Sequence, residues 1–448
     1  MRKIFLLLPI VFCFATAILA QNEPTQIDSL VTAYTNNAEF CGSVLVAKNG
    51  KILLKKGYGY SNADQQIPNN ETTGFNIASV TKTFTAALIL KLQEEGKLSV
   101  KDTLGKYYPG YPQASTITIH QLLTHTSGIH DYLQTKEFQQ IDQTKPLTLE
   151  KMIAFFKDKP LDFEPGSQFR YSNSGYTMLG YIIEKVTGMS YGNALQTYIF
   201  KPLRMRHSSF GPPDTSVTKP ATGYMYYYRN FKRPSFRVDP SISYATGAIY
   251  STVEDLYLWN NALQSGKILS KKTLAEAYKK DKGNYGYGWF TDSLYGKQRV
   301  SHDGNIPGYK SNINRFPDDG VCVIALSNSN NSGVGGMVRN IVNILYHQPL
   351  PKPFADLPVI NLTDSIKQEY TGVYKFRKED SVSATISLRD THLFLTITTQ
   401  PAVEIFPVFK DVFKAGSARL EFKRNNLGQV HEIFMFKEGE ISQVTKFE

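Results

Sequence analysis

The sequence has 448 residues and a formal net charge of +11 at pH 7, from 50 Lys and Arg against 39 Asp and Glu. A chain of this length exceeds what one ordinary hydrophobic core holds, so two domains are expected. The basic residues are scattered, with no aromatic and basic platform and no helix-turn-helix pattern. This argues against a nucleic-acid-binding protein and favours a solvated basic surface.

The N-terminus has the pattern of a secretory signal peptide. Two basic residues precede an apolar stretch from Ile4 to Leu19, and a small residue, Ala20, stands before the chain turns polar. The stretch is short for a membrane span, and Pro9 interrupts it. We therefore expect cleavage after Ala20 or Ala17, removal of residues 1–20, and a soluble mature protein in the periplasm or outside the cell.

The elements that follow mix strand and helix patterns. Asn49-Gly50, between two apolar runs, is a strong hairpin signal. Apolar residues recur at helical spacing from Thr83 to Leu92 and from Met178 to Val186. Strand-like runs return at residues 313–315 and 321–326. These patterns predict one mixed α+β domain over residues 21–346.

A change in composition marks the C-terminal part of the chain. Residues 347–358 contain four prolines and no periodicity, which predicts a linker. After it, β-forming residues alternate or cluster between turns in five stretches: Thr385–Leu388, Leu393–Thr398, Val403–Phe409, Arg419–Lys423 and Glu432–Phe436. This pattern predicts a small all-β domain over residues 359–448, and it carries no concentrated catalytic signal.

A Ser-x-x-Lys element occurs twice, beginning at Ser79 and at Ser216. Prolines stand on both sides of the second copy, so Ser216 and Lys219 are not expected to share a helix face. The first copy leads directly into the helical pattern that begins at Thr83. There, residues three apart lie on one face, and the Lys82 amine can reach the Ser79 hydroxyl.

Serine and lysine at this spacing suit nucleophilic catalysis. The amide groups at a helix start stabilise negative charge that develops beside Ser79. Lys82 can act as a base if burial or a neighbouring cation makes its neutral form accessible. The alternative interpretation is an N-cap serine beside a solvated lysine.

Two further elements have chemistry that fits such a pair. Tyr171-Ser172-Asn173 stands between a turn and a helical pattern; a phenol can relay a proton, and an amide can hold a substrate carbonyl. In His302-Asp303-Gly304, the glycine lets a substrate lie against a strand edge, where a backbone amide can point at an oxyanion. Taken alone, Tyr171 reads as a packed aromatic and His302 as a surface loop residue.

As an ordered set, these elements resemble the β-lactamase-related serine hydrolases, which include class C β-lactamases, D-Ala-D-Ala carboxypeptidases, D-amino-acid peptidases and esterases. The resemblance runs from about Phe40 to Asn328. It includes Leu-Leu-Thr-His-Thr-Ser-Gly at residues 122–128, a specific match with no catalytic role assigned from chemistry. It implies a β-lactamase/transpeptidase-like fold, with an antiparallel sheet flanked by helices plus a helical region, followed by a small all-β barrel-like domain.

The resemblance also implies roles for individual residues, and no metal or cofactor. Ser79 would be the acylated nucleophile, Lys82 its base, Tyr171 the proton relay and Asn173 a substrate contact. His302 and Gly304 would occupy the third element, and the backbone amides of Ser79 and Asn305 would form the oxyanion hole.

The chain departs from true β-lactamases at the third element. Lys-Thr-Gly and Lys-Ser-Gly do not occur in it, and His302, largely neutral near pH 7, replaces a permanent cation. This disfavours penicillin hydrolysis and favours a small-molecule or peptide substrate with an amide, peptide or ester bond, peptidoglycan fragments among them. The alternatives are a carboxylesterase and a muropeptide-binding protein without turnover, which the intact Ser79, Lys82 and Tyr171 set argues against.

Overall fold

The computed structural model describes residues 23–36, 39–216, 218–228, 231–330, 332–350, 357–375, 382–398, 400–416, 418–437 and 440–447. The predicted signal peptide, residues 1–20, lies outside these ranges, as do residues 351–356 of the predicted linker. The chain divides into two compact units, Met1–Val334 and Gly335–Glu448. The domain limits at residues 346 and 359 stay predictions.

The first unit is built on a six-stranded antiparallel sheet. Its hairpin turn at Asn49 and Gly50 is confirmed, and both residues have the positive φ that a tight hairpin requires (52° and 77°). The runs predicted at residues 313–315 and 321–326 are confirmed as parts of longer strands. In spatial order the strands are Phe290–Leu294, Lys297–Ile306, Tyr309–Phe316, Val321–Ser327, Gly42–Lys48 and Lys51–Tyr58.

Helices make up most of the rest of this unit. The two predicted helical stretches are confirmed within Thr81–Glu94 and Asn173–Thr187. Thr81–Glu94 is buried on nearly all sides, and its buried residues include three threonines and Lys82 as well as apolar side chains. Its Phe84 ring stacks on Trp259 at 4.4 Å between centroids. The other α-helices among the described residues of this unit are residues 23–36, Ile119–Leu123, Lys136–Gln139, Leu149–Ala154, Tyr191–Leu195, Lys201–Leu203, Pro240–Gly247, Val253–Ser265 and Lys271–Ala277.

The described part of the first unit also contains three small sheets. In one of them the strand before Ser79 pairs with Ile249–Ser251, which in turn pairs with Ser209–Phe210, and this ties the start of the central helix to later parts of the chain. The strands of the three sheets are Phe75–Asn76, Ile249–Ser251 and Ser209–Phe210; Tyr60–Asn62 and Ile67–Pro68; and Tyr224–Tyr228 and Phe231–Pro234.

The helix Val334–Leu345 begins at the last residue of the first unit and continues into the second, which also contains the helix Asp364–Glu369 and a closed eight-stranded antiparallel barrel. The predicted barrel-like β domain is confirmed, with the short helix Asp364–Glu369 before its first strand. Closure comes from pairing of the first and last strands, so the barrel has no free sheet edge. Tyr370, Phe413 and Phe422 lie at the centre of its core. The strands are Gly372–Lys375, Ser383–Arg389, His392–Ile397, Val403–Phe409, Val412–Ala415, Ala418–Arg424, Val430–Lys437 and Glu440–Phe447.

Two cysteines fall in the described ranges, and each is a buried free thiol. Cys41 and Cys322 do not bridge, and burial raises the pKa of each to about 12. Both are therefore protonated and unreactive near neutral pH. Across the described ranges, no helix combines the length and the apolar character needed to cross a bilayer.

Candidate active site

Ser79 lies in the short 3-10 turn Ala78–Val80, which leads into the helix Thr81–Glu94. The residue before it, Ala78, has φ 46°, a left-handed conformation that is costly for a residue with a Cβ. The Asn76 side chain accepts a hydrogen bond from the Ala78 amide at 2.7 Å and helps to hold this turn. The Ser79 hydroxyl is thereby presented at a fixed position at the start of the helix.

Lys82 is fully buried one helical turn after Ser79. Its Nζ atom lies 3.1 Å from Ser79 Oγ, 3.0 Å from Asn173 Oδ1 and 3.0 Å from the Thr246 carbonyl oxygen. Burial lowers the pKa of Lys82 to about 7, although the negative charges of Asp131 and Asp303 act in the opposite direction. A large fraction of the amine is therefore neutral near pH 7, and a neutral amine can accept the proton of Ser79.

The Thr246 carbonyl is directed at Lys82 by an irregular backbone segment. Thr246 lies near the end of the helix Pro240–Gly247, and Tyr244 within it departs from helical geometry, with φ 35° and ψ −128°. Gly180 leaves room for the Tyr244 ring, since a Cβ there would lie 2.4 Å from a ring carbon. This local packing stabilises the conformation that places a backbone acceptor beside the lysine.

Tyr171 lies beside the same lysine. The Lys82 Nζ atom is 4.9 Å from the centre of the Tyr171 ring. Burial raises the pKa of Tyr171 well above its usual value, and the hydrogen bond between its hydroxyl and Ser79 offsets this only in part. The phenol is therefore protonated at neutral pH and can donate a proton. Lys82, with its pKa lowered to about 7, can instead accept one.

Asn173 links Lys82 to a buried carboxylate that the sequence analysis missed. Its Nδ2 atom donates to Asp131 Oδ2 at 3.0 Å, while its Oδ1 atom accepts from Lys82. Because the Asp131 carboxylate can only accept from that amide, the two contacts fix which face of Asn173 meets the lysine. Asn173 also lines the pocket beside Ser79, and its role as a substrate contact stays a prediction. A signal for Asp131 did exist, since it follows the matched segment 122–128 by three residues.

The segment 122–128 holds the loop that carries Tyr171. His125 Nδ1 accepts a hydrogen bond from the Ser172 amide at 3.1 Å, and its ring lies 4.1 Å from the Tyr171 ring. Burial lowers the pKa of His125 well below its usual value, so the ring is neutral. Gly128 has φ 76°, and a Cβ there would lie 2.1 Å from the Phe163 carbonyl oxygen. The segment therefore acts through packing and backbone contacts around the loop.

The third element lies on the strand Lys297–Ile306. Its Gly304 lies against the turn that carries Ser79, whereas its His302 does not line the pocket beside Ser79. His302 is buried; its ring contacts the Tyr285 hydroxyl at 2.9 Å and the Asp303 carbonyl oxygen at 2.6 Å, and it is absent from the pocket lining. Burial lowers the pKa of His302 to about 4, so the ring is neutral. A Cβ on Gly304 would lie 2.4 Å from the Ile77 carbonyl oxygen, so glycine permits this strand to approach the turn that carries Ser79.

A cavity of about 200 Å³ opens beside these residues, and Ser79, Tyr171, Asn173 and Asn305 are among the residues that line it. The structure thus brings Ser79, Lys82, Tyr171 and Asn173 together and places Asn305 at the same pocket. In the part of the chain that the structure describes, no three His, Cys, Asp or Glu side chains form a cluster able to hold a metal.

The second Ser-x-x-Lys copy has a different setting. Ser216 and Lys219 are both exposed, and Ser216 lies in a turn where its amide donates to Asp214 Oδ1 at 2.9 Å. Its described residues are not helical, which confirms the prediction made from the flanking prolines.

Comparison with known proteins identifies the class of this site. The sequence profile of the family described as Beta-lactamase matches residues 27–348. The chain belongs to the Beta-lactamase family. The predicted family is therefore confirmed, and this Beta-lactamase family protein is a serine hydrolase.

Relatives of this serine hydrolase share both sequence and fold. A penicillin-binding protein of Bacillus subtilis (strain 168) is 29% identical over 430 residues, which cover 90% of this chain and 94% of that protein. The octameric penicillin-binding protein homologue from Pyrococcus abyssi is 26% identical, with a TM-score of 0.67 over 94% of this chain and 99% of that one. The D-stereospecific amidohydrolase from Streptomyces sp. is 26% identical, with a TM-score of 0.59 over 70% and 97% of the two chains. The predicted β-lactamase/transpeptidase-like fold is confirmed.

Proposed function

We propose that this protein is an exported hydrolase that cleaves amide, peptide or ester bonds through an acyl-enzyme on Ser79. The observation that carries the proposal is the buried Lys82 amine, 3.1 Å from the Ser79 hydroxyl and with a pKa lowered to about 7. A solvated lysine beside an N-cap serine would keep its charge and could not take the proton. The burial of Lys82 therefore favours the catalytic interpretation of the Ser-x-x-Lys element over the N-cap alternative.

The acylation step follows from the positions of these groups. Neutral Lys82 accepts the Ser79 proton while Ser79 Oγ forms a bond to the substrate carbonyl carbon. The backbone amides of Ser79 and Asn305 would stabilise the oxyanion. The bond to the leaving group then breaks as the Tyr171 phenol donates a proton to it, and Lys82 returns a proton to Tyr171.

In deacylation Lys82 again accepts a proton, this time from water. A water molecule attacks the acyl carbon and gives one proton to Lys82, which is neutral again after acylation. The bond between the carbonyl carbon and Ser79 Oγ breaks, the proton passes to Ser79, and the carboxylic acid leaves. The cycle needs no oxidant, metal or cofactor.

The substrate proposal rests on the third element and on the relatives. His302 is neutral and buried, so it offers no cation to a substrate carboxylate. Among the relatives are penicillin-binding proteins and a D-stereospecific amidohydrolase, and a D-residue amide or a peptidoglycan-derived peptide is therefore the first substrate to test. A carboxylesterase would use the same site, and only a comparison of substrates separates the two. Export is supported by the signal-peptide pattern of residues 1–20.

The test is the intact mass of the mature protein after brief exposure to an activated ester and, separately, to a penicillin. We expect an adduct from the ester, loss of that adduct in Ser79→Ala, and full labelling of the matched control Ser216→Ala. The same spectra give the N-terminus, expected at Gln21 or Ile18 if the protein is exported. Labelling that survives in Ser79→Ala contradicts the mechanism, and stable labelling without product release favours the muropeptide-binding alternative.

A further inference from the structure

The cavity beside Ser79 has walls that are mostly apolar. Tyr132 and Phe138 come from the turn and helix near residue 133, and Val238 and Ile242 come from the segment that ends in the helix Pro240–Gly247. Ile306 and Pro307 come from the end of the strand Lys297–Ile306 and the turn after it. Leu133 lies at the rim, with 46% of its surface exposed. The volume of the cavity, about 200 Å³, is smaller than the roughly 300–1,000 Å³ typical of pockets that enclose drug-sized ligands. It therefore suits one side chain of a substrate.

None of the described residues that line this cavity carries a formal charge. Lys82 lies beneath it, and its amine is engaged by three protein acceptors. Asp131 is buried behind Asn173. Arg237, next to Val238 in the chain, is exposed and acts electrostatically on Tyr250 and Tyr309, neither of which lines the cavity.

We propose that this cavity is the subsite for the acyl residue of the substrate and that it selects an uncharged, apolar side chain. The inference rests on the proposed function, because the cavity adjoins the hydroxyl that would be acylated. An apolar side chain gains free energy by leaving water for these walls. A charged side chain loses its hydration there and meets no opposite charge among the described residues of the lining.

The kinetic test uses substrates with one activated leaving group and acyl residues that differ only in the side chain: phenylalanine, leucine, aspartate and lysine, each as both enantiomers. For the enantiomer that reacts faster, we expect kcat/KM for phenylalanine and leucine to exceed that for aspartate and lysine by at least about 100-fold. Equal rates across the series would overturn the proposal.

A charge placed at the rim gives the second test. Leu133→Lys adds a cation at an exposed position and should raise kcat/KM for the aspartate substrate by at least about tenfold, without a gain for the lysine substrate. The matched control is Leu258→Lys, which makes the same change at a similarly exposed leucine (39%) on the helix Val253–Ser265, away from the cavity. A gain in both variants, or in neither, overturns the assignment of the cavity.

Binding separates this proposal from the mechanism. The variant Ser79→Ala keeps the apolar walls of the cavity and does not turn over substrate. Calorimetry on this variant measures its affinity for the α-amide of phenylalanine and for the α-amide of aspartic acid. Tighter binding of the apolar amide supports the subsite even if Ser79 proves not to be the nucleophile. Equal affinities overturn the subsite, while labelling of Ser79 in the native protein would leave the proposed function standing.

Discussion

The strongest test of the site is the dependence of its rate on the protonation of Lys82. With a pKa of about 7, roughly half of the amine is neutral at pH 7. An ordinary lysine, with a pKa near 10.4, is neutral in only about one molecule in 2,500 at that pH. Burial therefore increases the population of the competent base about a thousandfold. Since the neutral form is needed, kcat/KM should rise with pH, level off above about 7, and fall about tenfold for each unit below it.

The variant for this test is Lys82→Arg, which keeps a positive charge and a long side chain but cannot lose its proton. We expect kcat/KM to fall by about 100- to 10,000-fold, the usual contribution of a general base, and the limb near pH 7 to disappear. The assay is kcat/KM for an activated ester between pH 5 and 9, with circular dichroism to confirm folding. A native rate that stays constant from pH 7 to pH 5, or a Lys82→Arg rate within about threefold of native, would refute the assignment of Lys82 as the base.

Three further substitutions test the surroundings of the site. Gly304→Ala should lower kcat/KM by about 100-fold, because the added Cβ displaces the strand from the turn that carries Ser79. The control is Gly110→Ala, whose Cβ meets nothing within 4 Å. Equal kcat/KM values for the two variants would contradict the reasoning. Asp131→Asn removes a charge that raises the pKa of Lys82, so the acid limb should move to lower pH; a pH profile showing no shift, or a shift to higher pH, argues against this coupling. Ser243→Ala removes a buried hydroxyl without a hydrogen-bond partner and should raise the free energy of unfolding by up to about 1 kcal/mol, measured by urea denaturation; a loss of more than that amount shows that the hydroxyl has a partner.

Local signals in the sequence predicted the elements of the fold well. The Asn49-Gly50 turn, the central helix and the paired strands near residues 313 and 321 all appear because each depends on residues adjacent in the chain. The barrel strands Gly372–Lys375, Val412–Ala415 and Glu440–Phe447 were missed. Two are only four residues long, and in the third the apolar residues Ile441, Val444 and Phe447 stand three apart instead of alternating.

The site itself was predictable only where spacing along the chain decides geometry. Ser79 and Lys82 share a helical turn, so their contact follows from the sequence. Hydrogen bonds link Asp131 to Lys82 through Asn173, which lies 42 residues further along the chain than Asp131, and no periodicity reports such a link. The burial of His302 against Tyr285 also depends on tertiary packing, which the His-Asp-Gly pattern does not contain. Spacing thus gave the reactive pair, whereas the groups that tune it became visible only in three dimensions.

The two buried thiols bear on how this protein can be made and handled. Since Cys41 and Cys322 do not bridge, no covalent cross-link in the described chain has to form during folding. We expect the melting temperature to be the same with and without dithiothreitol, and a drop of more than about 2 °C in reductant would contradict this. Production without residues 1–20 in a reducing cytoplasm should therefore yield the same active fold as export into an oxidising compartment.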